Sequence, residues 1–438
     1  MNNSVDFVVE GGHKLSGEVV TNTSKNGAMG LLCGSLLNKG QTILHGIPKI
    51  EEVNRILEVM QSIGIKFEWI EKNTLKINPP KKLDWENIDK VAAGRTRTIL
   101  MFLGPLIHLM PNFELPGPKG CNLGKRPVSA HLLGLQKFGV KVKLKPSSYL
   151  VEVKKLKAGE IVMYEKGDTA TENILMAASK IPGKTVIKFA SSNYMVRDVC
   201  YFLEKLGVKI EGIGTHELTV HGVSEINQDV EFYNSEDPIE SMMFVSAAVV
   251  TESELTIKRV PIDFMELELL KLETMGLKYK RSKAYLSQNG YSKLVDLTVF
   301  PSKLKAPIEK ITSGAYPDIN IDNLPFFVPI ACKSEGMTLI HDWVYENRSI
   351  YFMELNKLGA NLLLADPHRV YVEGGVEFQA SQVVCPPALR PAMIILIAML
   401  DAKGTSILRN VYSIKRGYQE IAERLNQLGA KITILEDK

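Results

Sequence analysis

The sequence predicts a mixed α/β protein of two domains, each built from three copies of one strand–helix–strand–helix–strand–strand unit. Three observations favour this fold: a short motif recurs six times, apolar and amphipathic helices alternate along the copies, and 438 residues exceed the size of one ordinary core. With the apolar helices inside and the sheets outside, each domain is expected to be an inside-out α/β barrel.

The recurring motif is an apolar helix end that runs into a glycine and then a strand, as in LEKLGVKIEGI and LNQLGAKITIL. Successive glycines are 75, 68, 69, 83 and 70 residues apart, so one unit, repeated, fills nearly the whole chain. A glycine at this place is typical of a left-handed helix C-cap. The six glycines are Gly64, Gly139, Gly207, Gly276, Gly359 and Gly429.

Each unit contains two helices of different character. The second helix, as at 51–64 or 197–207, repeats apolar residues every three or four positions and is predicted to be half-buried. The first helix, as at 391–400, is apolar on nearly every side and is predicted to be buried. A short strand such as GQTILHG at 40–46 separates the two helices.

The six copies are expected to group three and three. Counting them places the domain boundary near residue 235, although no Pro-, Gly- or Ser-rich linker marks it. An open solenoid is the alternative architecture. No copy has the polar character of a terminal cap, which favours two closed globules.

Composition and charge restrict the class of protein. Hydrophobic residues make up 45% of the chain and charged residues 23%, an ordinary globular composition. The longest apolar stretch is half the roughly 20 residues that span a bilayer, and no signal peptide is recognisable, so a cytoplasmic protein without membrane association is expected. Five scattered cysteines also indicate a reducing compartment. A net charge of +4 does not require nucleic acid, and no Cys/His spacing predicts a metal site.

The six copies differ most in the loops that lead into helix N-termini. Such helix ends favour anions, because they present free backbone N–H groups and a partial positive charge. Arginine and lysine at these places suit phosphate and carboxylate groups. Each single residue is better explained by N-capping or surface ion pairing, and only the collection predicts a site. If the two globules face each other, these loops are expected to converge on one cleft.

The loop around Cys121 is the most distinctive of these segments. Three glycines predict an open backbone there, and Lys119, Lys125 and Arg126 surround the thiol with positive charge. Nearby cations lower the pKa of a thiol below its usual value of about 8.5, so a reactive cysteine is predicted. Three other cysteines lie on apolar helix faces and are expected to be buried, namely Cys33, Cys200 and Cys332.

The sequence resembles the UDP-N-acetylglucosamine 1-carboxyvinyltransferases (the MurA enzymes) of the enolpyruvyl transferase family, from about residue 7 to 435. The motifs that carry the resemblance are SKNGA (24–28), GCNLGKRPV (120–128), ENR (346–348), ALRPA (388–392) and KRGYQEI (415–421). The serine-rich lysine motif and the Asn-Ala-Gly-Thr-Ala loop of EPSP synthases do not occur. The resemblance implies an N-terminal domain of 22–235 and a C-terminal domain of 1–21 plus 236–438.

The resemblance implies transfer of the enolpyruvyl group of phosphoenolpyruvate to the 3′-hydroxyl of UDP-N-acetylglucosamine, with release of phosphate. In the family this reaction is the first committed step of peptidoglycan biosynthesis, and so serves cell-wall formation, cell shape and cell division. It proceeds by addition and elimination through a tetrahedral ketal. No metal or organic cofactor is implied, and the expected partners are the two small-molecule substrates.

The resemblance also assigns roles to individual residues. Cys121 matches the loop cysteine that protonates phosphoenolpyruvate and can form an adduct with it, which implies sensitivity to fosfomycin. Asp322 matches the aspartate that removes the hydroxyl proton, and Lys25 and Arg416 match catalytic residues that contact phosphoenolpyruvate. The other substrate-binding residues that the resemblance implies are Asn26, Arg97, Arg126, Pro127, Val128, Arg348 and Arg390.

Two residues are candidates for the base that removes the hydroxyl proton. The family usually has Phe-Pro-Thr-Asp before the relevant helix, whereas this chain reads YPDINID. Counting back from Gly336 selects Asp322, and counting forward from Pro317 selects Asp318.

Other departures from the family affect the nucleotide-sugar half of the site. Ala388 stands where the family has an aspartate, Asn193 where it has an acidic residue, and 166–169 reads Lys-Gly-Asp-Thr instead of Lys-x-Ser-x-Gly. The alternatives are therefore a different nucleotide-sugar acceptor or a non-catalytic nucleotide-sugar-binding paralogue. RNA-end processing on a related repeat fold is disfavoured, because basic and aromatic residues are not interleaved.

Overall fold

The computed structural model describes residues 5–117 and 128–436. Within these residues helices and strands alternate along the chain, which confirms the predicted mixed α/β class. The strands are β1 (Val5–Gly11), β2 (Glu18–Val20), β3 (Thr42–His45), β4 (Lys66–Glu71), β5 (Thr74–Asn78), β6 (Asn112–Pro116), β7 (Val140–Lys145), β8 (Ser148–Val153), β9 (Glu160–Val162), β10 (Gly183–Lys188), β11 (Lys209–Glu211), β12 (Glu217–Gly222), β13 (Val230–Tyr233), β14 (Leu255–Pro261), β15 (Lys278–Arg281), β16 (Tyr285–Leu286), β17 (Lys293–Phe300), β18 (Ile311–Thr312), β19 (Met337–His341), β20 (Asn361–Asp366), β21 (Arg369–Glu373), β22 (Gln382–Val384), β23 (Gly404–Arg409) and β24 (Lys431–Glu436).

The helices between these strands are mostly α-helical. They are α1 (Lys25–Gly34), α2 (Glu51–Ser62), α3 (Lys90–Arg95), α4 (Leu103–Leu106), α5 (Ser129–Lys137), α6 (Asp168–Ser179), α7 (Tyr194–Lys205), α8 (Pro238–Val250), α9 (Glu266–Met275), α10 (Phe327–Lys333), α11 (Leu389–Asp401), α12 (Tyr412–Lys415) and α13 (Ile421–Gln427). Short 3₁₀ helices lie at Ser35–Leu37, Trp85–Asn87, Arg97–Phe102, Ile262–Phe264, Leu324–Phe326 and Ser349–Leu358.

The described residues divide into two compact units. The N-terminal unit contains 23–117 and 128–235, and the C-terminal unit contains 5–22 and 236–436. The sheets of the N-terminal unit have the strand orders β13-β3-β5-β4, β6-β8-β7 and β11-β12-β10-β9. Those of the C-terminal unit have the orders β15-β17-β14-β2 (with β16 beside β17), β18-β19-β21-β20 and β22-β23-β1-β24.

Most of these sheets share one pairing pattern. In the sheet of the third copy, β9 pairs parallel with β10, β10 pairs antiparallel with β12, and β12 pairs antiparallel with β11. The parallel pair needs a crossover connection, which α6 supplies. A short turn joins the antiparallel strands β11 and β12, and α7 lies between β10 and β11. The repeated motif therefore corresponds to a repeated sheet.

Two strands are exchanged reciprocally at the points where the chain passes from one unit to the other. β2 precedes α1 of the N-terminal unit but pairs with β14 of the C-terminal unit. β13 precedes α8 of the C-terminal unit but pairs with β3 of the N-terminal unit. In addition, β1 lies between β23 and β24, so the first strand completes the sheet of the last copy.

The six repeat glycines have the backbone conformation that the sequence predicts. Their φ angles lie between 84° and 107°, in the left-handed region where a side chain is disfavoured. This confirms the predicted helix C-caps. The predicted burial of the first helix of each unit is confirmed in α8, all of whose residues are buried, and in 390–400 of α11.

One predicted helix is interrupted for an identifiable reason. The apolar segment after Arg97 forms a 3₁₀ helix and then the short α4, instead of one α-helix. The side-chain amide of Asn173 accepts from the N–H of Gly104 at 2.6 Å and donates to the carbonyl of Leu100 at 3.0 Å. These groups are four residues apart and would otherwise bond to each other, so the inserted amide replaces an α-helical hydrogen bond. No helix among the described residues is long and apolar enough to cross a bilayer.

Candidate active site

The start of α1 carries two of the predicted site residues, Lys25 and Asn26. Ser24 caps this helix, and its hydroxyl accepts from the N–H of Gly27 at 3.1 Å. The hydroxyl of Tyr194, the first residue of α7, lies 3.2 Å from Oγ of Ser24 and 3.4 Å from Nδ2 of Asn26. The starts of α1 and α7 are therefore joined by side chains, and Asn26 is held by a residue to which the sequence assigned no role.

Gly27 allows α1 to approach buried polar groups closely. A Cβ at this position would lie 2.4 Å from Oδ2 of Asp198 and 2.4 Å from Oδ1 of Asn234. The other oxygen of Asp198 accepts from Ser235 at 2.5 Å, and Asn234 donates to the carbonyl of Ser24 at 2.7 Å. The glycine of the SKNGA motif is thus explained by packing against α7 and the segment after β13.

A buried carboxyl group lies between two other acids in the N-terminal unit. Glu172 of α6 is 1% exposed. Its pKa is raised well above the usual range, first by burial and then by the nearby charges of Asp168 and Asp198. The charged form of Glu172 is therefore disfavoured, because it would be both desolvated and repelled.

Arg97 and Val128 lie at helix starts, and both interact with the buried His131. His131 has its pKa lowered to about 4, first by burial and then by the charge of Arg97. Its Nδ1 lies 3.0 Å from Nδ2 of Asn173, an amide nitrogen that can only donate, so Nδ1 is the acceptor and the ring is neutral. The carbonyl of Val128 accepts from the N–H of His131 at 3.1 Å.

In the C-terminal unit three predicted residues come together. Oδ2 of Asp322 lies 3.3 Å from Nη2 of Arg390, and Oδ1 lies 3.5 Å from Nη1 of Arg348. The carboxylate remains partly exposed, with 23% of its side-chain surface accessible. Asp322 is therefore oriented by two guanidinium groups while one side of it stays open.

Arg348 is enclosed by protein groups on several sides. Its Nε lies 2.5 Å from Oδ2 of the buried Asp342, and its Nη2 donates to the carbonyl of Ile321 at 2.6 Å. The guanidinium carbon also lies 4.4 Å from the ring centroid of Tyr345. Arg348 is only 1% exposed. Arg348 therefore holds the chain segment at Ile321 and Asp322 in place.

Arg390, the second residue of α11, contacts a buried tyrosine and lies near a buried acid. Its Nη1 donates to the hydroxyl of Tyr418 at 2.7 Å. Burial raises the pKa of Asp237 to about 6, with Arg390 opposing the rise and Glu240 adding to it. Burial also raises the pKa of Tyr418, so its hydroxyl stays protonated.

The start of α11 has no side-chain cap. Ala388 is the N-cap residue and is buried. Gly417, next to Arg416, lies so near this helix that a Cβ would be 2.3 Å from Cδ2 of Leu389. Arg416 itself ends the short α12 and is half-buried.

The two candidate bases have different surroundings. Asp318 is exposed and lies against Gly314, where an added Cβ would be 2.2 Å from its Oδ2. Asp322 lies between Arg348 and Arg390. Two guanidinium groups therefore flank Asp322, whereas Asp318 lies exposed against Gly314.

Sequence reasoning gave no role to several residues that shape these surroundings. Tyr418 lies in the KRGYQEI motif and Asp342 precedes the ENR motif, so their position beside matched motifs was the available signal. The residues without a predicted role are Glu172, Tyr194, Asp237, Asp342 and Tyr418.

Cys121, Arg126 and Pro127 lie outside the described residues, and their predicted roles stay predictions. The expected burial of the cysteines on apolar helices is confirmed, and Cys385 is buried as well. Among residues 5–117 and 128–436, no group of three His, Cys, Asp or Glu side chains is placed to hold a metal ion.

Comparison with known proteins gives consistent similarities over the whole chain. Proteins named UDP-N-acetylglucosamine 1-carboxyvinyltransferase from Treponema denticola and Borreliella burgdorferi are each 32% identical to it, over 98% and 97% of this chain and 99% and 98% of theirs. The one from Bradyrhizobium diazoefficiens is 30% identical over 98% of this chain and 97% of its own.

Solved structures show the same fold at lower identity. The enolpyruvyl transferase NikO from Streptomyces tendae has a TM-score of 0.83 and 22% identity, with full coverage of both chains. An EPSP synthase from Acinetobacter baumannii has a TM-score of 0.76 and 16% identity, over 99% of this chain and 100% of its own. The sequence model described as EPSP synthase (3-phosphoshikimate 1-carboxyvinyltransferase) matches residues 9–437. The chain therefore belongs to the EPSP synthase family of enolpyruvyl transferases.

Proposed function

We propose that the protein transfers the enolpyruvyl group of phosphoenolpyruvate to the 3′-hydroxyl of UDP-N-acetylglucosamine and releases phosphate. The observation that carries this proposal is the partly exposed carboxylate of Asp322 between Arg348 and Arg390. A fixed carboxylate with an open side can take a proton from an acceptor hydroxyl. The names of the full-length relatives support the choice of acceptor.

The proposed reaction has two steps, addition and then elimination. Asp322 removes the proton of the sugar hydroxyl as its oxygen bonds to C2 of phosphoenolpyruvate, and the methylene carbon gains a proton. Cys121 is our proposed donor of that proton. Loss of a proton from the methyl group and departure of phosphate then break the C–O bond to phosphate and restore the enol ether.

The anionic groups of phosphoenolpyruvate require cations, and four residues are our candidates. Lys25 is the first residue of α1, where the helix dipole adds to its own charge. Arg416 lies at the end of α12, two residues from the Tyr418 that contacts Arg390. Arg97 and Arg126 are proposed to bind the remaining phosphate and carboxylate oxygens, since arginine can offer a bidentate fork.

Asn26 and the backbone of Arg126, Pro127 and Val128 are proposed to contact the nucleotide sugar. The hydrogen bond between Asn26 and Tyr194 supports this role for Asn26, because it fixes the amide before the ligand binds. If the acceptor is UDP-N-acetylglucosamine, the reaction serves peptidoglycan biosynthesis in the cytoplasm.

A different nucleotide-sugar acceptor is the second candidate. It is favoured by the start of α11, where Ala388 gives no side-chain cap, and by the start of α6, where Asp168 bonds to Ser191 and Asn193. Both are positions at which this chain departs from the family pattern. Each change alters the charge or the capping of its own helix start, and such changes are one way in which an acceptor preference would differ.

The test is an acceptor panel with purified full-length protein and phosphoenolpyruvate. Phosphate release and product mass are measured with UDP-N-acetylglucosamine, UDP-N-acetylgalactosamine, UDP-glucose and 3-phosphoshikimate, with Asp322→Asn as the inactive control and Asp229→Asn as an exposed control. We expect turnover with UDP-N-acetylglucosamine. Turnover with another sugar nucleotide alone would support the second candidate, and no turnover with any acceptor would contradict both.

A further inference from the structure

One buried amide of the N-terminal unit is bonded to two other helices of that unit. Asn173 lies in the middle of α6 and is fully buried. Its Nδ2 donates to the carbonyl of Leu100 and to Nδ1 of His131, each at 3.0 Å. Its Oδ1 accepts from the N–H of Gly104 at 2.6 Å. Both amide hydrogens and the amide oxygen are therefore used in contacts that leave α6.

The contact with α6 decides the form of the helix that begins at Arg97. Leu100 and Gly104 are four residues apart, so without the amide their backbone groups would close an α-helical hydrogen bond. With the amide inserted, the six residues 97–102 form a 3₁₀ helix. A 3₁₀ helix rises about 2.0 Å and turns about 120° per residue, against about 1.5 Å and about 100° in an α-helix. Over this length the difference shifts Arg97 by about 3 Å along the axis and turns it by about 120°.

The start of this 3₁₀ helix is held from a second side. The hydroxyl of Thr96 accepts from the N–H of Thr98 at 3.2 Å and donates to Oε1 of Glu52 at 2.7 Å. Glu52 lies on α2, and both Glu52 and Thr96 are buried. Arg97 therefore lies between two buried anchor points, one on α2 and one on α6.

The close approach of α6 to this segment requires glycine at position 104. A Cβ there would lie 2.4 Å from the carbonyl oxygen of Asn173 and 2.7 Å from its Oδ1. Both distances are too short for any side chain, so a larger residue would push α6 away or displace the amide. The amide contact and the glycine therefore belong to one arrangement.

The same amide also holds the start of α5. His131 is the third residue of this helix and is buried. The carbonyl of Val128, the N-cap residue, accepts from the N–H of His131 at 3.1 Å and from that of Leu132 at 3.2 Å. A contact to the side chain of His131 therefore fixes the first turn of α5, where Val128 lies.

We propose that Asn173 is a positioning residue that sets two helix starts together, and so places Arg97 and Val128 relative to α6. Arg97 is our candidate for binding phosphoenolpyruvate, and the backbone of Val128 is our candidate for contacting the nucleotide sugar. Asn173 acts on both through the helices that it holds. The kinetic part of this inference rests on the proposed function, whereas the effect on helix geometry does not.

The experiment compares the wild type with Asn173→Leu and His131→Phe. Asn173→Leu keeps the γ-branched shape of the side chain, removes all three hydrogen bonds, and lets Leu100 and Gly104 bond to each other. His131→Phe keeps a ring at that position and removes the bond to α5 alone. For each variant, KM for phosphoenolpyruvate, KM for UDP-N-acetylglucosamine, kcat and the midpoint of urea unfolding are measured.

A split between the two KM values separates positioning from a general loss of stability. We expect Asn173→Leu to raise both KM values about tenfold or more, with a smaller change in kcat, because both helix starts shift. His131→Phe should raise KM for the sugar nucleotide by a similar factor and leave KM for phosphoenolpyruvate within about twofold of the wild type.

Ser179→Ala is the matched control. Ser179 is also buried on α6, but its hydroxyl donates to the carbonyl of Met176 in the same helix, at 2.7 Å. Its removal should lower the unfolding midpoint without changing either KM. A tenfold rise of both KM values in Ser179→Ala would contradict the proposal, because any loss of a buried bond on α6 would then have the same effect.

Crystal structures of the two variants give a readout that needs no activity. In Asn173→Leu we expect one α-helix over 97–106, with the Cα of Arg97 displaced by about 3 Å. In His131→Phe we expect the 3₁₀ helix to remain and the first turn of α5 to move away from α6. An unchanged 3₁₀ helix in Asn173→Leu would overturn the proposal, as would wild-type values of both KM in that variant.

Two further outcomes are decided by the remaining measurements. If Asn173→Leu does not fold, His131→Phe decides, and equal changes in its two KM values, or none, would overturn the proposal. If the wild type has no activity with any acceptor, the proposed function fails on its own. The positioning is then decided by the crystal structures, in which the helix starts must move as stated.

Discussion

Asp322 and Arg390 form an ion pair within the C-terminal unit, with Nη2 of Arg390 3.3 Å from Oδ2 of Asp322. Arg348 approaches the second carboxylate oxygen at 3.5 Å. Arg390 is held by Tyr418, and Arg348 is held by Asp342. The two guanidinium groups are therefore fixed independently, and together they fix the carboxylate that we propose as the base.

Replacing Asp322 with alanine should abolish turnover. General-base catalysis contributes about 10²- to 10⁴-fold, so we expect a loss of at least that order in kcat. A phosphoenolpyruvate adduct on Cys121, followed by intact-protein mass, should still form. Asp318→Ala is the matched variant. If it is inactive while Asp322→Ala is active, the base is Asp318.

Variants of Arg348 should separate its contribution to folding stability from its contribution to catalysis. Arg348→Met leaves Asp342 buried without its partner, which typically costs about 3–5 kcal/mol in the free energy of unfolding. The double variant Arg348→Met/Asp342→Leu removes both charges and should recover most of that stability. Its kcat should stay low, because the double variant still lacks the guanidinium that orients Asp322.

The same variants distinguish positioning from ligand contact. A positioning role for Arg348 predicts that kcat falls while KM for both substrates changes little. Direct contact with substrate predicts a large rise in KM. Urea unfolding and steady-state kinetics on the double variant decide between these outcomes, and full kcat in a folded double variant would contradict both roles.

Asp237 should make the protein less stable as pH rises. Burial raises its pKa from 3.8 to about 6, so between these values the folded state binds more protons than the unfolded state. Its contribution is present below about pH 4 and is lost as pH rises through about 6. A rise of this size corresponds to about 3 kcal/mol.

Asp237→Asn tests this pH dependence. Asparagine keeps the cap on the N–H of Ile239, which Asp237 now holds at 2.8 Å. The free energy of unfolding of the wild type, relative to this variant, should fall by about 3 kcal/mol or less between pH 4 and pH 7.5. Asp229→Asn, at an exposed position, is the control. A pH-independent difference between wild type and Asp237→Asn would contradict the prediction.

Gly27→Ala should destabilise the N-terminal unit. The added Cβ would lie 2.4 Å from Asp198 and Asn234, so α1 or these side chains must move, at a cost of about 1–3 kcal/mol. Because Lys25 and Asn26 begin the same helix, activity should fall as well. Gly159→Ala is the control, since its Cβ would meet no atom within 4 Å. Equal unfolding midpoints for the two variants would show that the close approach is unimportant.

The repeat could be predicted because its signals are local. A helix C-cap in the left-handed region selects glycine, and an apolar stripe with helical spacing marks a helix, so short windows were sufficient for all six copies. The interrupted helix after Arg97 was not predictable in this way. Its cause is the amide of Asn173, about seventy residues further along the chain.

The candidate site was predictable in its residue types but not in its contacts. Motifs identified Lys25, Asn26, Arg390 and Asp322, and left Asp318 as an alternative. Only the packing placed Asp322 between Arg348 and Arg390 and Asp318 against Gly314. The contacts that distinguish Asp322 from Asp318 join side chains that are far apart in the sequence. The sequence pattern of a single chain does not predict such contacts.

The sequence by itself determined the six-fold repeat, the mixed α/β class, the glycine caps and the set of cationic loops, because each depends on backbone preference or periodicity within about twenty residues. The tertiary structure decided which strands pair and which charges meet. In the folded chain β2 pairs with β14 of the C-terminal unit and β13 pairs with β3 of the N-terminal unit. β1 joins the last sheet, and Asp168 accepts a hydrogen bond from Asn193. These choices depend on burial and on the pairing of polar groups across long sequence separations, and such energies exist only once the chain is folded.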